Sequence, residues 1–150
     1  MRILARQFLL HFALSVAFAA GTFVLPLETR AQQSTPATNV NEFVGTWHWM
    51  FNGQSFATMI LEPNANGLSG SIGNASIDSD SDGKITNASA LMGSSPITKS
   101  SLSNGVLHVV CKIDGDEIEW IVRLTSPTTA EIVPGAADAP KMTIHAERSQ

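Results

Sequence analysis

Beyond residue 41, apolar and polar residues alternate with a period of two, and Asn-Gly or Asp-Gly pairs punctuate the alternation. The pairs are Asn52-Gly53, Asn66-Gly67, Asp82-Gly83, Asn104-Gly105 and Asp114-Gly115. A period of two places every second side chain on one face of an extended strand. Asn-Gly and Asp-Gly tolerate positive φ, which a two-residue hairpin loop of matching twist requires. No stretch in this part of the chain shows a helical repeat. The pattern predicts short antiparallel strands joined by tight turns.

The turns also set register. A two-residue loop at Asn52-Gly53 places Phe51 opposite Gln54, Trp49 opposite Phe56, Trp47 opposite Thr58 and Gly45 opposite Ile60. That face is strongly aromatic. The other carries Val44, Met50, Ala57, Met59 and Leu61, and is expected to be a semi-apolar outer surface suited to self-association or a partner. Tight turns at Asn104-Gly105 and Asp114-Gly115 set Leu102 opposite Leu107, Cys111 opposite Ile118, Val109 opposite Trp120 and Leu107 opposite Val122. Ser101, His108, Lys112, Glu117, Glu119 and Arg123 then share the opposite face. Two independent turns agree on one inward set, whereas a slip of one residue would invert every side chain.

Further strands are expected at 68–72, 84–92, 97–103, 129–133 and 142–148. A meander of about eight or nine short strands closes naturally into a small up-and-down barrel, which removes exposed sheet edges. The expected fold is therefore all-β, an antiparallel barrel of about eight strands, with a two-sheet sandwich as the alternative.

The start of the chain changes the picture of where this fold works. Met1, Arg2 and Arg6 give a positive start, residues 8–25 are mostly apolar and uncharged, and Thr29-Arg30-Ala31 offers small residues where a signal peptidase needs them. This is the plan of a signal peptide over residues 1–31, followed by a flexible polar linker at 32–41 and a single barrel domain at 42–150. The expected localisation is secreted or periplasmic. An uncleaved anchor helix is the alternative, because the apolar run is nearly long enough to span a bilayer; Pro26 interrupts it.

Three of the nine basic and one of the thirteen acidic residues precede Gln32, leaving six and twelve, a net charge of −6. Nucleic acid and anionic membranes repel such a domain, which argues against both as partners. One cysteine, Cys111, cannot make an internal disulfide, so the core must hold the fold alone. Its apolar neighbours on the same face favour a buried small hydrophobe, with an intermolecular bridge or a reactive thiol as the alternatives.

Gly45-Thr46-Trp47 on the first strand, followed by a hairpin and by Gly67-Leu68-Ser69-Gly70-Ser71, resembles the start of lipocalin-like and avidin-like barrels, the calycin group. The resemblance implies that Trp47 plugs the closed end of a barrel and that Arg148, near the last strand, packs on it. A cation over an indole face shielded from water is worth about 1 kcal/mol or more. The polar set with which avidins grip biotin is not placed here, nor are the other lipocalin motifs. The chain also resembles other small exported bacterial β proteins that open on a Trp-containing strand and Gly-rich hairpins.

Candidate chemistry is sparse. Asp78, Asp80 and Asp82, followed by Gly83 and Ile85, match the front half of an EF-hand-type calcium loop, but Ser89 stands where the bidentate glutamate belongs and flanking helices are missing. A solvated acidic hairpin turning at Asp82-Gly83 is the competing reading, with a weak calcium site as the alternative and no other cofactor expected. His48, His108 and His145 fall on the face opposite the tryptophans, without a second ligand at metal spacing. Glu117 and Glu119 are the nearest approach to a general acid/base pair, yet they read better as one solvated strand face. Asn74-Ala-Ser76 and Asn87-Ala-Ser89 match glycosylation sequons.

The tryptophans carry the remaining hypothesis. If Trp47 plugs one end, then Trp49, Phe51, Phe56 and Trp120 line the other, and small barrels hold one small ligand in such a place. The expected function is an exported barrel that binds a small apolar or amphipathic molecule without catalysis. The rival is a protein-interaction or protease-inhibitor-like barrel without a small ligand, with residues 32–41 as an inserting arm and self-association as one outcome.

Overall fold

The structure, a computed structural model, describes residues 37–149. The expected leader and residues 32–36 of the expected linker lie outside these residues. One 3-10 turn, Val40–Phe43, precedes eight strands. They are β1 (Gly45–Phe51), β2 (Gln54–Asn64), β3 (Gly67–Ser79), β4 (Ile85–Ser103), β5 (Val106–Ile113), β6 (Asp116–Ser126), β7 (Thr129–Pro134) and β8 (Ile144–Arg148). Each strand pairs antiparallel with the next, and β8 pairs with β1, so the sheet closes into an up-and-down barrel. The alternative of a sandwich is set aside by that closure.

Three of the five Gly pairs form the two-residue loops expected of them. Asn52, Asn104 and Asp114 take φ values of 49°, 51° and 52°, and the glycines after them take 76°, 75° and 96°. Positive φ at both central residues gives the loop the twist of its strands. The other two pairs turn one residue earlier. Gly67 already belongs to β3, opposite Asn64, and the Asn66 N–H donates to Asn64 Oδ1 at 2.7 Å. The Gly83 N–H donates to the Asp80 carbonyl at 3.1 Å, so Ser81 and Asp82 are the central residues of that turn.

The β5–β6 register is the expected one, with Leu107 opposite Val122, Val109 opposite Trp120 and Cys111 opposite Ile118. The β1–β2 register is not. A bulge between Trp49 and Met50 sets Trp49 opposite Ala57, Trp47 opposite Met59 and Gly45 opposite Leu61. One extra residue on β2 reverses which face each later residue takes. Met59 and Leu61 are therefore in the core, Ala57 is buried, and Ile60 stands on the outside at 39% exposure. The semi-apolar outer surface expected from Ala57, Met59 and Leu61 does not exist.

Trp47, Met59, Leu61, Leu107, Ile132 and Ile144 are fully buried and form the barrel's interior together with Trp49 and Val109. Removing each such side chain from water contributes about 1.5–3 kcal/mol.

The expected segments 84–92 and 97–103 are one strand, β4, of 19 residues, and β3 has 13. Its ladder with β5 begins at Ile97 opposite Cys111, so residues 85–94 pair with β3 alone. This distal ribbon carries a wide bulge: Gly73 faces Ser94, Ala75 faces Ala90, and Asn74 alone stands against Leu91, Met92 and Gly93. Bulges bend and twist a strand pair, and here the ribbon leans over the barrel. Ala75, Ile77, Ile85 and Ala88 are half-buried against the core. β4 also touches β1, which is not its neighbour in the sheet. At the tip, Gly83 packs so closely on the Lys141 carbonyl that a β-carbon would lie 1.3 Å from its oxygen.

Candidate functional site

The two ends of the barrel differ in how they are covered. At the end holding the first residues of β1 and the last of β8, the 3-10 turn packs inward through Phe43, which is fully buried. Asn39 caps the turn, with its side chain accepting from the Asn41 N–H at 2.9 Å. The Glu42 Oε1 accepts from the backbone N–H groups of Thr38 and Asn39, both at 2.9 Å. Those two donors hold the Glu42 carboxyl below its ordinary range.

Trp47 lies under this turn, and its Nε1–H donates to the Phe43 carbonyl at 2.8 Å. Arg148, directly opposite Trp47 in the β1–β8 ladder, places its guanidinium carbon 4.4 Å from the indole centroid. Its Nη2 donates to the Glu42 carbonyl. Burial pushes the Arg148 guanidinium pKa down. The side chain reaches the ring by lying across Gly45, whose φ is +137°; a β-carbon there would sit 3.4 Å from Arg148 Cδ. The glycine of Gly45-Thr46-Trp47 thus combines a backbone conformation few other residues adopt with a bed for the arginine.

At the other end Trp49, Phe56 and Trp120 meet. Trp49 packs edge-to-face on Trp120 at 4.9 Å between centroids and on Phe56 at 6.3 Å. Such arrangements set the positive edge of one ring on the negative face of another. Phe56, the residue that the bulge leaves without a partner on β1, is buried beside Trp49. Phe51 is half-buried at the rim of this end. Trp49 is 1% and Trp120 8% exposed. Yet neither Nε1–H has a hydrogen-bond partner among the described residues, although the atoms are shielded from solvent. A buried donor left unpaired costs about 1–3 kcal/mol, so such groups call for an acceptor.

Cys111 lies beside this cluster. Its thiol is fully buried and donates to the Ile118 carbonyl at 3.8 Å. Burial pushes the thiol pKa up, an effect that the nearby Trp120 indole partly opposes without meeting the geometry of a hydrogen bond.

The other sequence candidates are not drawn together. Asp78 is in β3, where its Oδ2 accepts from Asn87 Nδ2 at 3.2 Å. Asp80 Oδ1 accepts the backbone N–H groups of Asp82 and Lys84, at 3.0 and 2.9 Å, which shapes the hairpin tip. Among the described residues no three His, Cys, Asp or Glu side chains gather as a metal site, and Asp80 braces the turn from within. His48 bonds Ser149 Oγ at 2.6 Å, and His145 is exposed on β8. Glu117 and Glu119 each have a cationic or imidazole partner: Lys99 at 3.1 Å and His108 at 2.9 Å. The sequon residue Asn74 is engaged too, donating to the Met92 carbonyl at 3.3 Å and accepting from Ser95 Oγ at 2.9 Å.

The sequence reading missed what covers the aromatic end. Of the half-buried ribbon residues, Ala75 and Ile77 lie outside the expected strands, and Ile85 and Ala88 lie in the expected strand 84–92, whose pairing with residues 75–79 was not foreseen. The signal that was present is their alternation, Ala75 with Ile77 and Ile85 across one turn. Comparison with protein families, with curated proteins and with solved structures finds no match.

Proposed function

We propose that the protein is an exported, calycin-like barrel that holds one small apolar or amphipathic molecule beneath the β3–β4 ribbon. Trp49, Phe56 and Trp120 form the walls of the site, and Phe51 stands at its rim. Trp47 and Arg148 seal the far end. The observation that carries this reading is the pair of shielded indole N–H groups of Trp49 and Trp120 without partners. A ligand bearing a carbonyl, ether or carboxylate oxygen next to an apolar body would satisfy them, and each such bond contributes about 0.5–1.5 kcal/mol net. Apolar pockets with a few placed polar groups are the usual form of small-molecule sites. Entry requires the ribbon to lift, and its distal residues, paired on one side only, are the part of the sheet best able to do so.

Tryptophan fluorescence tests the reading. The chain is titrated with a panel of hydrophobic ligands that share an apolar body and differ in acceptor oxygens. Saturable quenching by the acceptor-bearing members supports it; a flat response across the panel contradicts it.

A second reading, a protein-interaction barrel without a small ligand, has one observation of its own. Leu91 and Met92 are 55% and 96% exposed on the bulge braced by Asn74. An apolar knob on a rigid support fits a partner's pocket. Sedimentation over a range of concentrations separates self-association from a monomer.

A further inference from the structure

A cleft opens at the rim of the aromatic end, on the outside of the barrel. It has a volume of about 490 Å³ and lies where the tip of the β3–β4 ribbon meets β1, β8 and the segment before β8. That volume falls within the range of about 300–1,000 Å³ typical of drug-sized ligands. Met50, Phe51 and Ile85 give the cleft half-buried apolar walls, and Lys84, Lys141 and His145 are exposed around it. Asp82 is the one acidic residue among its linings.

The distribution of charge makes this cleft unusual in this protein. The domain after residue 31 carries six Lys and Arg against twelve acidic residues. Of those six, Lys99 is paired with Glu117 and Arg148 is stacked on Trp47. Two of the remaining four, Lys84 and Lys141, border one cleft. They are brought there from opposite parts of the barrel by the contact of Gly83 on the Lys141 carbonyl. Asp80 fixes the tip that presents Lys84, through its bond to the Lys84 N–H.

We infer that this rim cleft binds a small anionic amphiphile, with its apolar body against Met50, Phe51 and Ile85 and its acid group between Lys84 and Lys141. The ligand is a free carboxylate, sulfate or sulfonate rather than a membrane headgroup. A domain of net charge −6 is repelled by an anionic bilayer, while two lysines in one cleft still attract a small anion locally. The inference does not rest on ligand binding in the interior, whose walls are Trp49, Phe56 and Trp120; Phe51, at the rim, borders both.

The test uses two fluorescent probes of similar size on the full chain, anionic anilinonaphthalene sulfonate and neutral phenylnaphthylamine. The wild type is expected to bind the anionic probe saturably, with an affinity that falls as sodium chloride is added. The double substitution Lys84→Gln and Lys141→Gln should weaken that binding roughly ten-fold, equivalent to about 1.4 kcal/mol, while leaving the neutral probe unaffected. Near-ultraviolet circular dichroism verifies that the variant keeps its fold. The salt series on the wild type reads the same electrostatic term without any substitution. Absence of anionic-probe binding, salt-independent binding, or equal binding by the double variant would overturn the inference. Failure of the neutral probe alone would count against the interior site and not against this one.

Discussion

Trp47 and Trp49 lie two residues apart on one strand and on one face, yet their indole N–H groups differ. Trp47 donates to the Phe43 carbonyl, and Trp49 has no partner among the described residues. The first is a structural bond and the second is an unmet demand. Replacing Trp47 by Phe removes the bond and the better half of the cation contact, so it should lower stability by about 1–3 kcal/mol in urea unfolding. The bulge gives a sharper residue-level test. Met59→Ser should destabilise by about 3 kcal/mol or more, through a cavity and a buried hydroxyl, whereas Ile60→Ser should stay within about 0.5 kcal/mol. The reverse order would mean that the β2 register lacks the bulge. The chain does carry a signal for that register: Thr58 and Ile60 alternate with Glu62, an unlikely interior residue, while Ala57, Met59 and Leu61 share the other face. Extending the Asn52-Gly53 turn without interruption hides it, because a bulge has no composition of its own.

Among the elements, the hairpin loops were the most legible. Asn52-Gly53, Asn104-Gly105 and Asp114-Gly115 require positive φ at both residues, and few other residue pairs meet that need. The long ribbon was not legible, because Gly93-Ser94-Ser95-Pro96 reads as a break between two strands. The strand continues through Pro96 because its ladder with β5 begins only at Ile97, so the missing donor interrupts nothing there. The tip of that ribbon is held by Gly83 against Lys141. Gly83→Ala should push it off, since the new methyl would overlap the Lys141 carbonyl. Hydrogen exchange should then quicken around residues 80–86 while the β5–β6 ladder keeps its protection. The 3-10 turn at the opposite end has a pH dependence of known sign. The folded-state pKa of Glu42 is lowered by its backbone donors, so its contribution is present above the ordinary glutamate range and is lost as pH falls through the lowered value. Acidification should therefore loosen the turn first, seen as broadening of the Trp47 indole N–H resonance before those of Trp49 and Trp120.

For the molecule as a whole, the period-two pattern and the turn spacing were enough to indicate an antiparallel barrel, because a meander of this length has few other ways to hide its edges. Closure by β8 on β1 meets that expectation. The candidate site was legible in part. The tryptophans do converge, since Trp49 and Trp120 sit on inward positions of β1 and β6, which face each other across the interior. The ribbon that shuts over them and the cleft at its tip depend on long-range contacts between segments with no pairing signal in the chain. What unites these features is one claim: the aromatic end is a shielded site with two donors awaiting an acceptor. The most direct measurement follows the three indole N–H proton resonances while a ligand selected by fluorescence is added. The Trp49 and Trp120 signals should move downfield together as their donors gain an acceptor, with Trp47 unmoved at its Phe43 carbonyl. Ligand saturation that leaves Trp49 and Trp120 in place, or that shifts Trp47 instead, would contradict the account.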